Sequence, residues 1–104
     1  MSDLSNDLFA QAFASAPIGM VLVSIDSSSA GRFVEVNRAF CRMVGRSEEE
    51  LLGMGFQSVT HPADFDVNVE EISRLTRGET TSVRMGKRYV RPNGEVIWGS
   101  WTAP

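Results

Sequence analysis

The sequence predicts an α+β domain: an antiparallel sheet flanked by short helices, with an amphipathic helix in front. Three observations carry this reading. Two β-branched and aromatic runs lie near the start, a strand–turn–strand pattern lies near the end, and helical periodicities fill the space between. Strands grouped on either side of a block of helices indicate antiparallel pairing rather than an alternating parallel sheet. At 104 residues the chain suffices for one core.

Residues 1–16 read as the flanking helix and 17–104 as the domain proper. In the first segment Leu4, Leu8 and Ala12 share a face, joined by Phe9 and Phe13, while Asp7, Gln11 and Ser15 lie elsewhere. Pro17 ends it, because the residue before a proline is pushed out of the helical region. Residues 18–25, IGMVLVSI, are the most apolar run and predict a well-buried strand. A Ser- and Gly-rich connection over 26–31 leads to a second strand over 32–36. Asn37 stands where an N-cap belongs, with Phe40, Met43 and Val44 as the apolar face behind it and Gly45 as a left-handed stop. Ser47-Glu48-Glu49-Glu50 reads as a capping box ahead of Leu51 and Leu52, with Gly53 as a second stop. Phe56 and Val59 mark a short helical link.

A longer helix is predicted over 64–77. Pro62 suits its entry, Asp64 and Asp66 its N-terminus, and Arg74 and Arg77 its C-terminus. Phe65, Val69, Ile72 and Leu75 form its inward stripe, and Gly78 closes it. Residues 80–91 read as a strand and 92–94 as a turn with positive φ at its end. The partner strand over 95–102 carries Val96, Trp98, Ser100 and Thr102 on one face and Ile97, Gly99 and Trp101 on the other.

The net charge of -3 gives no electrostatic case for nucleic acid or an anionic membrane. Six of the ten basic residues fall between Arg74 and Arg91, which reads as a solvated sheet face. The apolar runs fall far short of the ~20 residues of a membrane span. Asp3 and Asp7 make the N-terminus unlike a signal peptide. A single cysteine leaves no internal disulfide and fits a reducing, cytoplasmic setting.

No residue set points to catalysis. Ser, His and Asp are present, without a nucleophile elbow or a phosphate-cradling glycine loop. Asp64 with Asp66, and Glu70 with Glu71, read as solvated helix charges. His61 is the sole histidine and has no partner for a zinc site. Cys41 reads as a small buried hydrophobe beside Phe40. No catalytic residue, metal or cofactor is expected.

Three stretches together resemble a PAS domain. The run from Phe33 to Gly53, F-x-E-V-N-R-A-F-C-x-x-x-G-R-S-x-E-E-L-L-G, looks like the core of that family. Thr60-His61-Pro62-Ala63-Asp64 is similar to its t-H-P-x-D turn, and KRYVRPNGEVIW over 87–98 to its x-R-Y-x-R-x-D/N-G-x-x-x-W hairpin. With the helix and strand before them, the matches run from about Phe9 to Thr102 in the family's order.

The resemblance implies a non-catalytic sensory and protein-interaction module. It would relay a signal to an output domain, a kinase or cyclic-di-nucleotide enzyme, in a longer parent protein. The flanking helix needs something to bury against, its own sheet or the same helix of a second copy; the resemblance implies the second as a homodimer interface at Leu4, Leu8, Phe9 and Phe13. Sheet and helices would enclose a space walled by Met20, Leu22, Phe40, Val44, Phe56, Val59, Val69 and Ile72. Nothing polar and specific stands among these, so a filled core is expected there. The alternative is a sensor holding haem, flavin or a small organic ligand in that space.

Flavin is disfavoured because the light-oxygen-voltage subgroup carries its cysteine in an N-C-R-F-L-Q-like motif. The matching stretch here is Gly53-Met54-Gly55-Phe56-Gln57. Haem-binding members ligate iron from the long helix, whereas His61 precedes that helix and reads as a structural residue at its entry. The family's fifth, central strand follows the hairpin, so a domain lacking its final central strand is expected. Residues 18–25 and 95–102 would then present open edges, closed by pairing with each other or by exchange with a second copy.

Overall fold

The computed structural model describes residues 2–25, 28 and 30–103, with side chains from Asp7 onward. The helices are α1 (Ser2–Ser15), α2 (Arg38–Val44), α3 (Glu48–Leu52) and α4 (Pro62–Thr76), with a 3-10 turn at Phe56–Val59. The strands are β1 (Val21–Val23), β2 (Phe33–Val36), β3 (Val83–Val90) and β4 (Val96–Ala103). They form two antiparallel ladders, β1 with β2 and β3 with β4, so the mixed, antiparallel class read from the sequence is the one observed. The chain divides into two compact units between Gly55 and Phe56.

Asn37 organises the first unit. With extended backbone at φ -99, it caps α2: its side-chain Oδ1 accepts from Phe40 N at 3.0 Å and also from Met20 N at 2.9 Å. Its Nδ2 donates to the carbonyls of Phe13 and Ile18, both at 2.9 Å. The predicted cap is therefore also a tie, a single buried amide that joins α1, the segment before β1, and α2. Gly45 closes α2 at φ 72, and the Phe40 ring meets Phe33 edge-on at 5.6 Å. In α3 the capping box is complete, Ser47 Oγ accepting from Glu50 N while Ser47 N donates to Glu50 Oε1, each at 3.1 Å. Gly53 ends α3 at φ -91, so no left-handed turn is made there.

Two expectations for this unit are corrected. The apolar run over 18–25 is not a well-buried strand. Regular pairing covers three residues, the register shifts between Leu22 and Val23, and Ile18 and Ile25 are each 68% exposed. Unbroken apolar character signals a strand covered on both faces, whereas this unit covers alternate side chains only. Phe13, expected at a dimer interface, is buried in its own unit's core and stacks on exposed Phe9 at 6.4 Å. Leu4 lies outside the described side chains, and Asp26, Ser27 and Ser29 of the expected connection lie outside the described residues.

In the second unit α4 is capped by His61, whose Nδ1 accepts from Ala63 N at 3.0 Å, with Pro62 at the first helical position. Gly78, at φ 77, closes the helix in a Schellman motif: Gly78 N donates to Leu75 O at 3.1 Å and Glu79 N to Arg74 O at 3.0 Å. The inward face differs from the predicted stripe. Asn68 is fully buried, while Val69 is 38% exposed. The helix turns the row Asp64–Asn68 toward β3, about one position away from the all-apolar row, because both polar residues find partners there. β3 and β4 pair without a bulge from Val83↔Ala103 to Val90↔Val96, and β4 alternates exposure as predicted.

Candidate functional site

Adjacent residues on a strand face opposite ways, and on β3 this buries Lys87 and Tyr89 while Arg88 points to the other side. The entry of α4 is fastened to the same strand. Thr60 bridges Tyr89, and His61 N donates to Arg88 O at 2.9 Å. Asp64 and Asn68, one helical turn apart, then each reach β3.

Asp64 accepts three bonds from one residue: Arg88 Nε at 3.0 Å, Arg88 Nη2 at 2.8 Å and the Arg88 backbone N at 2.8 Å. These hold its carboxyl down to about 2. The solvated helix charge expected at this position is instead a two-pronged clamp, its side chain 13% exposed. Because the folded value lies below the unfolded one, the contribution to stability is complete above 3.8 and is lost as pH falls through about 2. Acid unfolding of the wild type is expected to show a loss of about 2 kcal/mol over that window, absent in Asp64→Asn.

Lys87 is also displaced from its expected place. Read as part of a solvated basic face, it is 2% exposed. Its Nζ donates to Asn68 Oδ1 at 2.6 Å and lies over the rings of Tyr89, Phe56 and Trp101 at 5.0, 5.3 and 5.8 Å. Ring faces attract a cation and partly replace its lost hydration. Gly99, opposite Lys87 in the ladder, leaves room for this arrangement, since a Cβ there would stand 3.2 Å from Tyr89 Cε2. Burial still drives the ammonium down to about 8, against an opposing pull from Asp64, and pushes the Tyr89 phenol up to about 12.

A charged ammonium only donates, so Asn68 must turn its oxygen to Lys87. Its Nδ2 is then left buried with no partner among the described residues. Asp64, Arg88 and Lys87 together bring one carboxylate and two cations, leaving the cluster one positive charge in excess. On the outer side the Arg88 guanidinium lies 4.8 Å over the ring of Trp98, which is 69% exposed.

The residues predicted to wall an apolar space fall into both units. In the first, Phe40 and Val44 are buried, while Met20 and Leu22 are 38% and 43% exposed. In the second, Val59 is buried, Phe56 and Ile72 are half-buried, and Val69 is exposed. Cys41 is half-buried rather than buried, its thiol pKa raised by that burial. His61 occupies the helix-entry position expected of it. Sequence reasoning missed Lys87 and Asn68, although strand alternation sets Lys87 in phase with Tyr89.

A family model described as PAS fold matches residues 33–103. The chain belongs to the PAS family. Among curated proteins, this PAS domain is 37% identical over 90 residues to the probable diguanylate cyclase DgcE of Escherichia coli K12. That alignment covers 86% of the chain but 8% of the relative, so the chain spans a small part of the relative's length. Among solved structures, it is similar to a domain of a sensory box sensor histidine kinase/response regulator from Geobacter sulfurreducens, with TM-score 0.80 and 18% identity. That match covers 98% of this chain and 84% of the other. It is similar as well to a PAS domain from a two-component sensor histidine kinase, with TM-score 0.74 and 25% identity over 98% and 83% of the two chains. PAS domains are typically non-catalytic sensory modules of signalling proteins.

Proposed function

We infer that this chain is a non-catalytic PAS sensory module that relays a signal to an output domain, a kinase or cyclic-di-nucleotide enzyme, in a longer parent protein. The supporting observation is the alignment with DgcE, in which the matching segment makes up 8% of a probable diguanylate cyclase. The test is a graft. This chain replaces the aligned 90-residue segment of that relative, and cyclic-di-nucleotide synthesis is measured against a deletion. Output that differs between graft and deletion supports the relay. Output indifferent to the segment, or turnover by the isolated chain, overturns it.

A homodimer through α1 belongs to the same reading. Leu8 and Phe9 are 58% and 59% exposed on one helix, an apolar surface that a second copy would cover. Replacing both with serine is expected to weaken self-association about tenfold or more in sedimentation equilibrium, each lost apolar contact being worth about a kcal/mol or more. An unchanged association constant would show that α1 is not the interface. A single cysteine in the chain supports a reducing, cytoplasmic setting. No described helix is long and apolar enough to cross a membrane.

A second reading, a small-ligand sensor, is favoured by the unpartnered Asn68 amide beside Lys87. Native mass spectrometry of the purified chain distinguishes the two: mass that leaves on denaturation favours a ligand, and integer multiples of the chain mass favour a ligand-free relay.

A further inference from the structure

A buried amide donor without an acceptor and a buried cation without a carboxylate of its own stand on the same contact. Asn68 Nδ2 has no partner among the described residues, and it shares its carbon with the Oδ1 that receives Lys87 Nζ at 2.6 Å. Asn68 is fully buried and Lys87 is 2% exposed. The carboxylate that acts on this ammonium, Asp64, is already held by both prongs of Arg88. Two donors side by side, with one positive charge in excess, fit a group that has two acceptor oxygens on one carbon and a single negative charge. A carboxylate is that group: one oxygen takes Nζ, the other takes Nδ2, and the charge is cancelled. The rings of Phe56 and Trp101 beside the ammonium favour an apolar remainder over a strongly hydrated inorganic anion.

We propose that Lys87 and Asn68 anchor a small organic monocarboxylate, its apolar part lying toward Phe56 and Trp101. The proposal rests on the sensory reading and gives it a ligand class. The probe is propionate, titrated into the 104-residue chain and followed by nitrogen-15 NMR. The Trp101 indole, 5.8 Å from Nζ, is expected to shift saturably, and the Trp98 indole on the opposite face of β4 to stay in place. Propionamide, of the same shape without the charge, is expected to bind about tenfold more weakly or worse. Asn68→Asp puts a carboxylate beside Lys87 permanently. It is expected to abolish the Trp101 response while melting no lower than the wild type. If that variant does not fold, Lys87→Met serves in its place, with the same loss expected.

The absence of any saturable Trp101 shift in the wild type overturns the proposal. Equal binding of propionamide overturns the charge argument. A response retained in the variants assigns the binding to another place and overturns the site. None of these results touches the relay, which is read from output in the graft.

Discussion

Asn37→Ala is expected to lower the stability of the chain by about 3–5 kcal/mol. The side chain makes four hydrogen bonds, to Phe40 N, Met20 N, Phe13 O and Ile18 O, and is 2% exposed. Loss of an N-cap alone costs about 1 kcal/mol. Here three further backbone groups, one from α1 and two from the segment before β1, lose their partner as well, each at about 1 kcal/mol or more. At roughly 4–8 °C per kcal/mol for a chain of this size, the melting temperature should fall by about 15 °C or more. Asn37→Asp separates the two roles. Aspartate is as good a cap as asparagine, but it places an anionic oxygen against two carbonyls that need donors. A loss of about 2 kcal/mol or more is expected for it in thermal denaturation, and a neutral result would mean that the ties to Phe13 and Ile18 carry no energy.

The second large effect is alkaline. Lys87 is the sole lysine of the chain and Tyr89 the sole tyrosine, so their titrations are separable from all others of their kind. Unfolded, the lysine keeps its proton up to 10.5; folded, it releases it near 8. Between those values the unfolded chain binds more protons, so stability rises with pH. Tyr89 acts in the opposite sense. Its folded value near 12 exceeds the 10.0 of the free phenol, so stability falls above 10. Urea unfolding as a function of pH should therefore rise by about 2 kcal/mol from pH 8 to a maximum near pH 10, then decline. Lys87→Met should remove the rise and Tyr89→Phe the decline. Cys41, whose thiol is also raised, adds a falling contribution that the Lys87→Met variant retains, so the difference between the curves belongs to Lys87. Curves that coincide would mean that the ammonium is solvated.

Much of the architecture was legible because its signals are local. The Asn37 cap, the Ser47–Glu50 box and the glycines at 45, 78 and 94 each depend on a few neighbouring residues, and all lie where the pattern places them. The apolar run over 18–25 misled because hydrophobicity reports a residue's capacity for burial, not what its unit supplies to cover it. The Asp64–Asn68 row was missed because a helix stripe was sought among apolar side chains. The face turned to β3 is instead selected by long-range partners, 24 residues away for Asp64 and 19 for Asn68. The composition carries a further signal. Nine arginines and a single lysine make up the basic residues, and lysine is the cation that can lose its proton when buried.

Lys87 and Arg88 are bonded neighbours whose side chains live in different media. The Arg88–Asp64 pair is 28% and 13% exposed, within reach of mobile ions, whereas the Lys87 ammonium is walled by rings. Added base therefore discharges one side of β3, while the hydrogen-bonded ion pair on the other side keeps its charge. The two sides are separated by a single peptide bond, so one strand presents a titrating cation to the interior of its unit and a fixed ion pair to the other side.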